Sequence, residues 1–229
     1  MKFVWPLGVH VIELFVVIFF GNVTPSHGLQ NLLADPGFES GMFAASPYVG
    51  WGPVNAAAIS QDYAHSGLWS LKDAYDSIGI GPVVAGTQIV AASPGLTYSL
   101  SAWALTPATL QNAQGLLLVD FEDNNQQLIN YSGTVFYTLG TLDASSTANV
   151  WTFLSGSVTA PPGTAYIQAL PELFNSLNSS PANVVYFDDL NLTQIPEPAG
   201  WALAVVGVCL IALQTLRRSA APFQQDGHC

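Results

Sequence analysis

Residues 94–105, Pro-Gly-Leu-Thr-Tyr-Ser-Leu-Ser-Ala-Trp-Ala-Leu, decide the fold class of this chain. After the Pro-Gly turn signal, apolar and polar side chains alternate with a period of two. The apolar face carries Tyr98, Leu100, Ala102 and Ala104, and the opposite face carries Thr97, Ser99, Ser101 and Trp103. This alternation predicts a β-strand over Thr97–Leu105 with one face buried in a core.

Similar short runs, separated by clusters of Gly, Pro, Asn and Ser, continue on both sides of this strand. They predict strands over residues 116–123, 127–131, 151–160, 165–170 and 183–193. In the last of these, one face is predicted to hold Val184, Tyr186, Asp188, Leu190 and Leu192. Many short strands with turn signals between them are typical of a β-sandwich or jelly roll, so we predict an all-β domain. Both cysteines follow this region, so no disulfide is expected within it.

The charge of the chain excludes one class of partner. The 229 residues include 15 acidic and only 4 basic side chains, which gives a formal net charge of -11. Lys72 is the only cation between Lys2 and Arg217. Because nucleic acids and anionic membrane surfaces are held mainly by cationic side chains, we expect neither as a partner.

The N-terminus has the features of a secretory signal. Lys2 is followed by an apolar stretch ending at residues 14–20 and by the small-residue site Ser26-His27-Gly28. We therefore predict a signal peptide over residues 1–28, with an uncleaved membrane anchor as the alternative.

The C-terminus combines three features in a fixed order. Pro196-Glu197-Pro198 precedes an uncharged apolar run, residues 199–216, which is about long enough to cross a bilayer as a helix. Arg217-Arg218 follows and would hold that side in the cytoplasm. We predict a single transmembrane helix within residues 196–218 and a short cytoplasmic tail over residues 219–229.

This C-terminal combination resembles the PEP-CTERM sorting signal of Gram-negative bacteria. The resemblance implies a processing peptidase of the exosortase type and a link to exopolysaccharide. It also implies a protein that is anchored in the inner membrane before processing and then lies at the cell surface or outside the cell. An ordinary single-span anchor is the alternative.

The predicted β-sandwich, residues 29–195, also carries landmarks along its length. They are residues 31–41 with Trp51, the segment 64–71, the strand 94–103, Trp151, and Tyr186-Phe187-Asp188-Asp189-Leu190. In this order they resemble the jelly-roll carbohydrate-binding modules of the galactose-binding-like group. The resemblance makes residues 31–41 the opening strand and residues 186–190 part of the closing strand.

Three carboxylates are candidate metal ligands. Glu39 on the predicted first strand and Asp188 and Asp189 on the last are expected to lie side by side. Hard oxygen ligands of this kind suit Ca²⁺. The resemblance adds backbone carbonyls near residues 66–68. The alternative is that Asp188 accepts hydrogen bonds from backbone amides while Asp189 is solvated.

Exposed aromatic rings are the candidate sugar contacts, because they can cover the apolar C–H face of a pyranose. We predict this role for Trp69, Trp103 and Tyr131. The alternative is that these rings belong to the core.

Asp120 and Glu122 are predicted to share one strand face. They would lie about 6.5–7 Å apart by strand rise, within the separation of about 5–9.5 Å that a pair of glycosidase carboxylates needs. A solvated turn is the simpler interpretation, so we expect no catalysis. The sequence therefore predicts an exported, non-catalytic protein that binds extracellular polysaccharide. The alternatives are a structural or adhesive matrix protein that contacts other proteins, and a glycoside hydrolase.

Overall fold

The computed structural model describes residues 29–74, 83–176 and 182–196. Within these ranges the chain forms ten β-strands and no helix. In chain order they are β1 (Gly52–Val54), β2 (Ala58–Ser60), β3 (Ser70–Ala74), β4 (Val83–Ala91), β5 (Thr97–Leu105), β6 (Ala113–Glu122), β7 (Tyr137–Leu142), β8 (Thr152–Thr159), β9 (Tyr166–Asn175) and β10 (Val184–Ile195).

The strands form two five-stranded antiparallel sheets, each named here after its central strand. The order in the β9 sheet is β1-β4-β9-β6-β7, and the order in the β10 sheet is β2-β3-β10-β5-β8. Most consecutive strands lie in different sheets, so the chain crosses repeatedly between the two layers. This architecture confirms the predicted all-β sandwich.

One hydrophobic core receives side chains from both sheets. The apolar face of β5 is buried as predicted, and Tyr98, Leu100, Ala102 and Ala104 are at most 3% exposed. Phe121 of β6 and Phe187 of β10 are fully buried in the same core. Burying a side chain of this size contributes about 1.5–3 kcal/mol, so the alternating pattern carries much of the stability of the fold.

β10 departs from its predicted alternation at a β-bulge. Its register with β5 shifts between Asp188 and Asn191, and Asp189 within the shift has a φ of 49°. The core-facing residues are, in order, Val185, Phe187, Leu190 and Leu192. One extra residue moves all later side chains to the other face. The prediction of one shared face for Val184, Tyr186, Asp188, Leu190 and Leu192 is therefore wrong.

Two other predicted strands are wrong. Residues 127–131 form only isolated bridges, from Glu122 to Leu128 and from Tyr131 to Thr134. The second bridge closes a tight turn whose central residues, Ser132 and Gly133, both have positive φ. Residues 31–41, predicted as the opening strand that carries Glu39, form turns and bends. Their Asp-Pro-Gly sequence favours turns, because proline fixes φ and glycine tolerates unusual backbone angles.

Several predictions concern residues outside the described ranges. These are the signal peptide at residues 1–28, the sorting signal beyond Pro196, and the tail at residues 219–229. In the part of the chain that the structure describes, no helix is long and apolar enough to cross a membrane.

Candidate functional site

The three carboxylates predicted to bind a metal lie around one turn. This turn, residues 65–69, directly precedes β3, and its polar groups contact Glu39, Asp188 and Asp189. We call the turn and the three carboxylates the acidic turn. The structure therefore brings these three side chains together near residues 66–68, and their role as metal ligands stays a prediction.

Asp188 is fully buried and accepts hydrogen bonds from the backbone. Its Oδ2 accepts from the N–H groups of His65 (2.7 Å) and Ser66 (3.1 Å), and its Oδ1 accepts from the N–H of Asp189 (2.7 Å). Burial raises the pKa of Asp188 to about 6, although these amide hydrogen bonds act in the opposite direction. Asp188 thus fixes the turn, as the alternative interpretation of this residue expects.

Asp189 follows Asp188 directly, yet the bulge in β10 lets both side chains reach the same turn. Its Oδ1 accepts from the Ser66 hydroxyl at 2.6 Å, and its Oδ2 lies 2.6 Å from Nδ1 of His65. The side chain of Asp189 is 32% exposed. It is therefore a partly solvated carboxylate that also orients the His65 ring.

Glu39 holds the second half of the turn. Its carboxylate accepts from the N–H groups of Leu68 (3.0 Å) and Trp69 (3.1 Å). Gly67, directly before Leu68 in this turn, has a φ of 63°. A Cβ at this position would overlap the Glu39 carboxylate, so both the backbone angle and the contact require glycine here.

The acidic turn meets only part of the requirement for Ca²⁺. Its oxygens are of the hard type that Ca²⁺ takes, and Oδ1 of both aspartates would lie 3.6 Å from a Cβ on Gly37, so a side chain there would fill the space between them. However, N–H and O–H groups already donate to these oxygens, and among the described residues no three His, Cys, Asp or Glu side chains form a metal-binding group. Calcium binding therefore stays a prediction.

Trp103 lies on the outer face of the β10 sheet, where other rings cover it. The His65 ring stacks on it with centroids 4.2 Å apart, and Phe153 lies at 5.3 Å. Trp69 is half-buried against the core, and a Cβ on Gly41 would lie only 3.0 Å from its ring. Both tryptophans thus pack against the domain itself.

Tyr131 is more open and is 50% exposed. It stands at the tight turn 131–134 and lines a groove of about 590 Å³. The other lining residues are Pro94, Gly95, Thr159, Ala160, Pro161 and Pro162. This groove lies beside the start of β5, whereas Trp103 is six residues further along it, about 20 Å at the usual strand rise. The structure therefore does not bring Tyr131 and Trp103 together.

A second polar region lies on the outer face of the β9 sheet, and sequence reasoning largely missed it. We call it the polar face, and its residues are Tyr48, Thr87, Asp120, Glu122, Tyr166, Gln168 and Glu172. Gln168 of β9 pairs with Asp120 of β6, and Tyr166 pairs with Glu122. All lie on the side of the sheet opposite to the core-facing Ile167 and Phe121.

Hydrogen bonds connect five members of the polar face into two groups, Tyr48 with Glu122 and Gln168 with Asp120 and Thr87. The Tyr48 hydroxyl donates to Glu122 at 2.7 Å, and its ring meets the Tyr166 ring edge to face at 5.7 Å. The orientation of the Gln168 amide that satisfies both its ends donates to Asp120 at 2.8 Å and 3.1 Å and accepts from the Thr87 hydroxyl. The hydrogen-bonded groups therefore alternate between donor and acceptor across three strands and a loop.

The carboxylates of the polar face have raised pKa values. Burial raises the pKa of Asp120 to about 7, with a further contribution from the neighbouring charge of Glu122. Burial alone raises the pKa of Glu172 to about 7. Burial and the hydrogen bond to Glu122 also raise the pKa of Tyr48 to about 12. These shifts indicate that negative charge on this face lacks a compensating cation.

An apolar patch continues the same face toward the other end of the strands. Its members are Ala85, Leu118 and Leu170, with Val54, Val83 and Leu116 packed against them. The pairing places Glu172 between Ala85 and Leu116, so this carboxylate stands within the patch. The face therefore has a polar end, an apolar middle and one isolated acid.

Two predictions from the sequence concern Asp120 and Glu122 of this face. Asp120 and Glu122 were expected on one strand face, and the pairing confirms it. Their assignment to a solvated turn is wrong, because they are only 1% and 7% exposed. The alternation of Tyr166, Gln168, Leu170 and Glu172 could have shown the matching strand, but the contribution of Tyr48 from a loop has no sequence signal.

Comparisons with known proteins identify the fold. A scan against protein-family models finds no match, and neither does a search of curated proteins. Among solved structures, the enzymatically active domain of tailspike protein 4 from bacteriophage CBA120 is similar with a TM-score of 0.50 and 13% identity. That match covers 72% of this chain and 21% of the tailspike chain.

The CBM22-1 and GH10 modules of the Clostridium thermocellum xylanase 10B, complexed with xylohexaose, match with a TM-score of 0.50 and 16% identity. The match covers 74% of this chain and 29% of that one. The CBM22-1 xylan-binding domain of Paenibacillus barcinonensis Xyn10C gives a TM-score of 0.49 and 14% identity, over 73% of this chain and 96% of that one. This chain thus spans less than a third of the first two chains. At these identities the likeness concerns the fold, a β-sandwich of the kind found in jelly-roll carbohydrate-binding modules.

Proposed function

We propose that this protein is an exported, surface-associated and non-catalytic protein that binds extracellular polysaccharide through the polar face of the β9 sheet. One observation carries the proposal. Carboxylate, amide and hydroxyl groups share one sheet face with a tyrosine pair and an apolar patch. Export and processing by an exosortase-type peptidase are proposed from the resemblance of the two chain ends to targeting signals.

The chemistry of the polar face matches that of a sugar ring, which has hydroxyl groups at its edge and C–H groups on its faces. Carboxylates such as Asp120 and Glu122 accept hydrogen bonds from hydroxyls, and an amide such as Gln168 both donates and accepts. The partly buried Tyr166 ring and the partly buried residues at the edge of the apolar patch, Val54, Val83 and Leu116, can cover C–H groups. Each hydrogen bond contributes about 1 kcal/mol net, so a few such contacts give modest affinity.

The length of the face suits a polymer better than a single sugar. From Leu116 to Glu122 along β6 the outer face extends over six residues, about 20 Å at the usual strand rise. The loop that carries Tyr131 begins directly after Glu122, and Ala165 beside it donates its N–H to the Glu122 carbonyl. We therefore propose Tyr131 and its groove as a further contact beyond the polar end of the face.

Glycan hydrolysis is a second candidate, favoured by the raised pKa of Asp120 beside Glu122. A glycosidase needs one protonated and one ionised carboxyl group at the scissile bond. Against this role, Gln168 and Tyr48 already hold the two carboxylates, which is typical of a binding or structural network. Loss of hydrolysis in Asp120→Asn or Glu122→Gln would establish the enzyme instead of the binding protein.

The test is retention of the full-length protein by immobilised polysaccharides, in a detergent without a sugar headgroup. The panel contains neutral glycans and the extracellular polymer of the host. We expect retention, and we expect Tyr166→Ala to weaken it by about tenfold, which corresponds to about 1.4 kcal/mol. Phe153→Ala is the matched control, because this ring is 53% exposed on the other sheet.

Lack of retention by the folded protein would overturn the proposal and favour the structural or adhesive alternative. In that case a cross-linking experiment on intact cells would identify the protein that contacts the sandwich. Equal loss of retention in both variants would show that the polar face is not the site.

A further inference from the structure

The polar face has negative charge without a partner of opposite sign. Asp120, Glu122 and Glu172 all lie on this face, on two adjacent strands. In the described part of the chain the only lysine or arginine is Lys72, which lies on β3 of the other sheet and pairs with Asp62 at 2.6 Å. No cationic side chain of the described residues therefore balances the polar face.

Glu172 gives an independent indication that a ligand group is missing. Its side chain is 6% exposed and stands within the apolar patch. No hydrogen bond or ion pair joins it to any described residue, unlike Asp120 and Glu122. Most of the side chain is buried while its carboxyl oxygens still reach solvent, so the ionised form is poorly solvated and a donor or a positive charge from outside would stabilise it.

We propose that the polar face selects a polysaccharide that carries protonated amino groups, such as a deacetylated hexosamine polymer. This inference rests on the proposed function and names the class of glycan. A hexosamine ammonium group supplies three donors and one positive charge. Glu172 lacks both kinds of partner, and the Asp120–Glu122 pair has donors but lacks the positive charge. The neutral hydroxyls and ring C–H groups of the same sugar would lie on Gln168, Tyr166 and the edge of the apolar patch.

The same charges discriminate against other polymers. A uronic acid would bring a like charge to a face that already holds three carboxylates, on a chain with a formal net charge of -11. An N-acetylated hexosamine has no positive charge and would leave Glu172 without an ionic partner. The expected order of affinity is therefore free amine, then neutral sugar, then uronate.

Proton linkage gives the proposal a distinctive signature. A bound ammonium group favours the ionised form of nearby carboxyl groups. Because burial raises the pKa of Asp120 and Glu172 to about 7, part of each is protonated near neutral pH. At a pH where the sugar amino groups are already protonated, binding of an amino polymer must then release protons from these carboxyl groups, whereas binding of a neutral polymer forms no such ion pairs.

The experiment is isothermal titration calorimetry on the full-length protein with a glucosamine hexamer and an N-acetylglucosamine hexamer. Titrations at about pH 5.5, where the sugar amino groups are protonated, in two buffers of different ionisation enthalpy measure the protons released. We expect the free amine to bind at least about tenfold more tightly, which is about 1.4 kcal/mol, and with proton release. A galacturonate hexamer should not bind detectably.

Two variants test whether the carboxylates of the polar face cause the preference for the free amine. Glu172→Gln and Asp120→Asn should reduce the preference for the free amine to less than about threefold and abolish proton release. Asp62→Asn removes the same charge from the other sheet and should leave the preference unchanged. Glu172→Gln has nearly the same shape, and an unfolding temperature no lower than that of the unchanged protein verifies that it folds.

The outcomes separate the two proposals. If neutral glycans and the free amine bind equally, the proposed function stands and this inference fails. If no glycan binds, both fail. If Asp62→Asn weakens binding of the glucosamine hexamer as much as the polar-face variants do, the net charge alone attracts the polymer. If a lysine oligomer binds as tightly as the glucosamine hexamer, the protein recognises amines without the sugar. Each of these results overturns the selection of an amino polymer by the polar face.

Discussion

The His65 imidazole stacks on the Trp103 indole, with ring centroids 4.2 Å apart and planes inclined by 13°. Asp189 fixes the imidazole from the side, because its Oδ2 lies 2.6 Å from Nδ1. The contact therefore joins the acidic turn to the outer face of β5. It leaves less of the Trp103 ring available for a sugar than the sequence predicts.

Trp103→Ala should destabilise the domain by about 1–3 kcal/mol, because it removes the stack with His65 and the contact with Phe153. Chemical denaturation measures the loss. Phe153→Ala, which truncates the more exposed ring, should cost less. If Trp103→Ala keeps its stability but loses glycan retention, the ring is a ligand contact, as the sequence predicts.

Gly67→Ala should destabilise the acidic turn by more than the strain of positive φ alone, because the added Cβ meets the Glu39 carboxylate. Gly95→Ala is the matched control, since Gly95 has a φ of 80° and open space around its Cβ position. We expect about 1 kcal/mol for the control and at least twice as much for Gly67→Ala. Similar losses in both variants would contradict the role of Glu39 as a brace of the turn.

Ca²⁺ at millimolar concentration should raise the unfolding temperature by about 2–4 °C for each kcal/mol of binding free energy. Asp189→Ala should abolish the shift, since this partly exposed carboxylate makes no hydrogen bond to a backbone amide and is free to turn toward the ion. Mg²⁺ at equal concentration is the control, because Mg²⁺ dehydrates reluctantly and demands a stricter geometry. The absence of any shift, with or without EDTA, would show that amide and hydroxyl donors alone hold the carboxylates.

Asp73→Asn should stabilise the domain at neutral pH by about 1–3 kcal/mol. Asp73 is fully buried, no described residue donates a hydrogen bond to it, and burial raises its pKa well above the usual value of 3.8. The folded state therefore holds more protons than the unfolded state, so stability falls as pH rises from about 4. Unfolding temperatures measured between about pH 4 and pH 8 should show a flatter profile in the variant.

Asp62→Asn is the control for this pH profile. Asp62 is exposed and pairs with Lys72, so solvent screens the pair and its removal should leave stability almost unchanged. A profile of Asp73→Asn that matches that of the unchanged protein would mean that Asp73 gains a partner in solution.

The fold class was predictable because alternation alone specifies it. In β5 every second side chain is apolar, and the structure buries that face. The convergence of Glu39, Asp188 and Asp189 was also predictable, but only through resemblance, since Glu39 lies in a turn rather than on the expected strand.

The polar face was not predictable in the same way, because it depends on which strands become neighbours. Asp120 and Gln168 are 48 positions apart in the sequence, and only the pairing of β6 with β9 brings them together. Tyr48 reaches Glu122 from a loop with no periodic pattern. Burial of such acids is a tertiary effect, so composition and spacing favoured a solvated turn.

The bulge at Asp189 has a consequence for engineering. The bulge shifts the alternation of β10 by one residue. Odd-numbered positions such as Phe187 face the core before the bulge, and even-numbered positions such as Leu190 face the core after it. Deleting Asp189 would restore a single alternation in which Val185, Phe187, Leu190 and Leu192 still face the core, but it would remove the carboxylate that contacts His65 and Ser66. A redesign of this strand must therefore treat residues 184–188 and 190–195 as two independent patterns joined by one fixed residue.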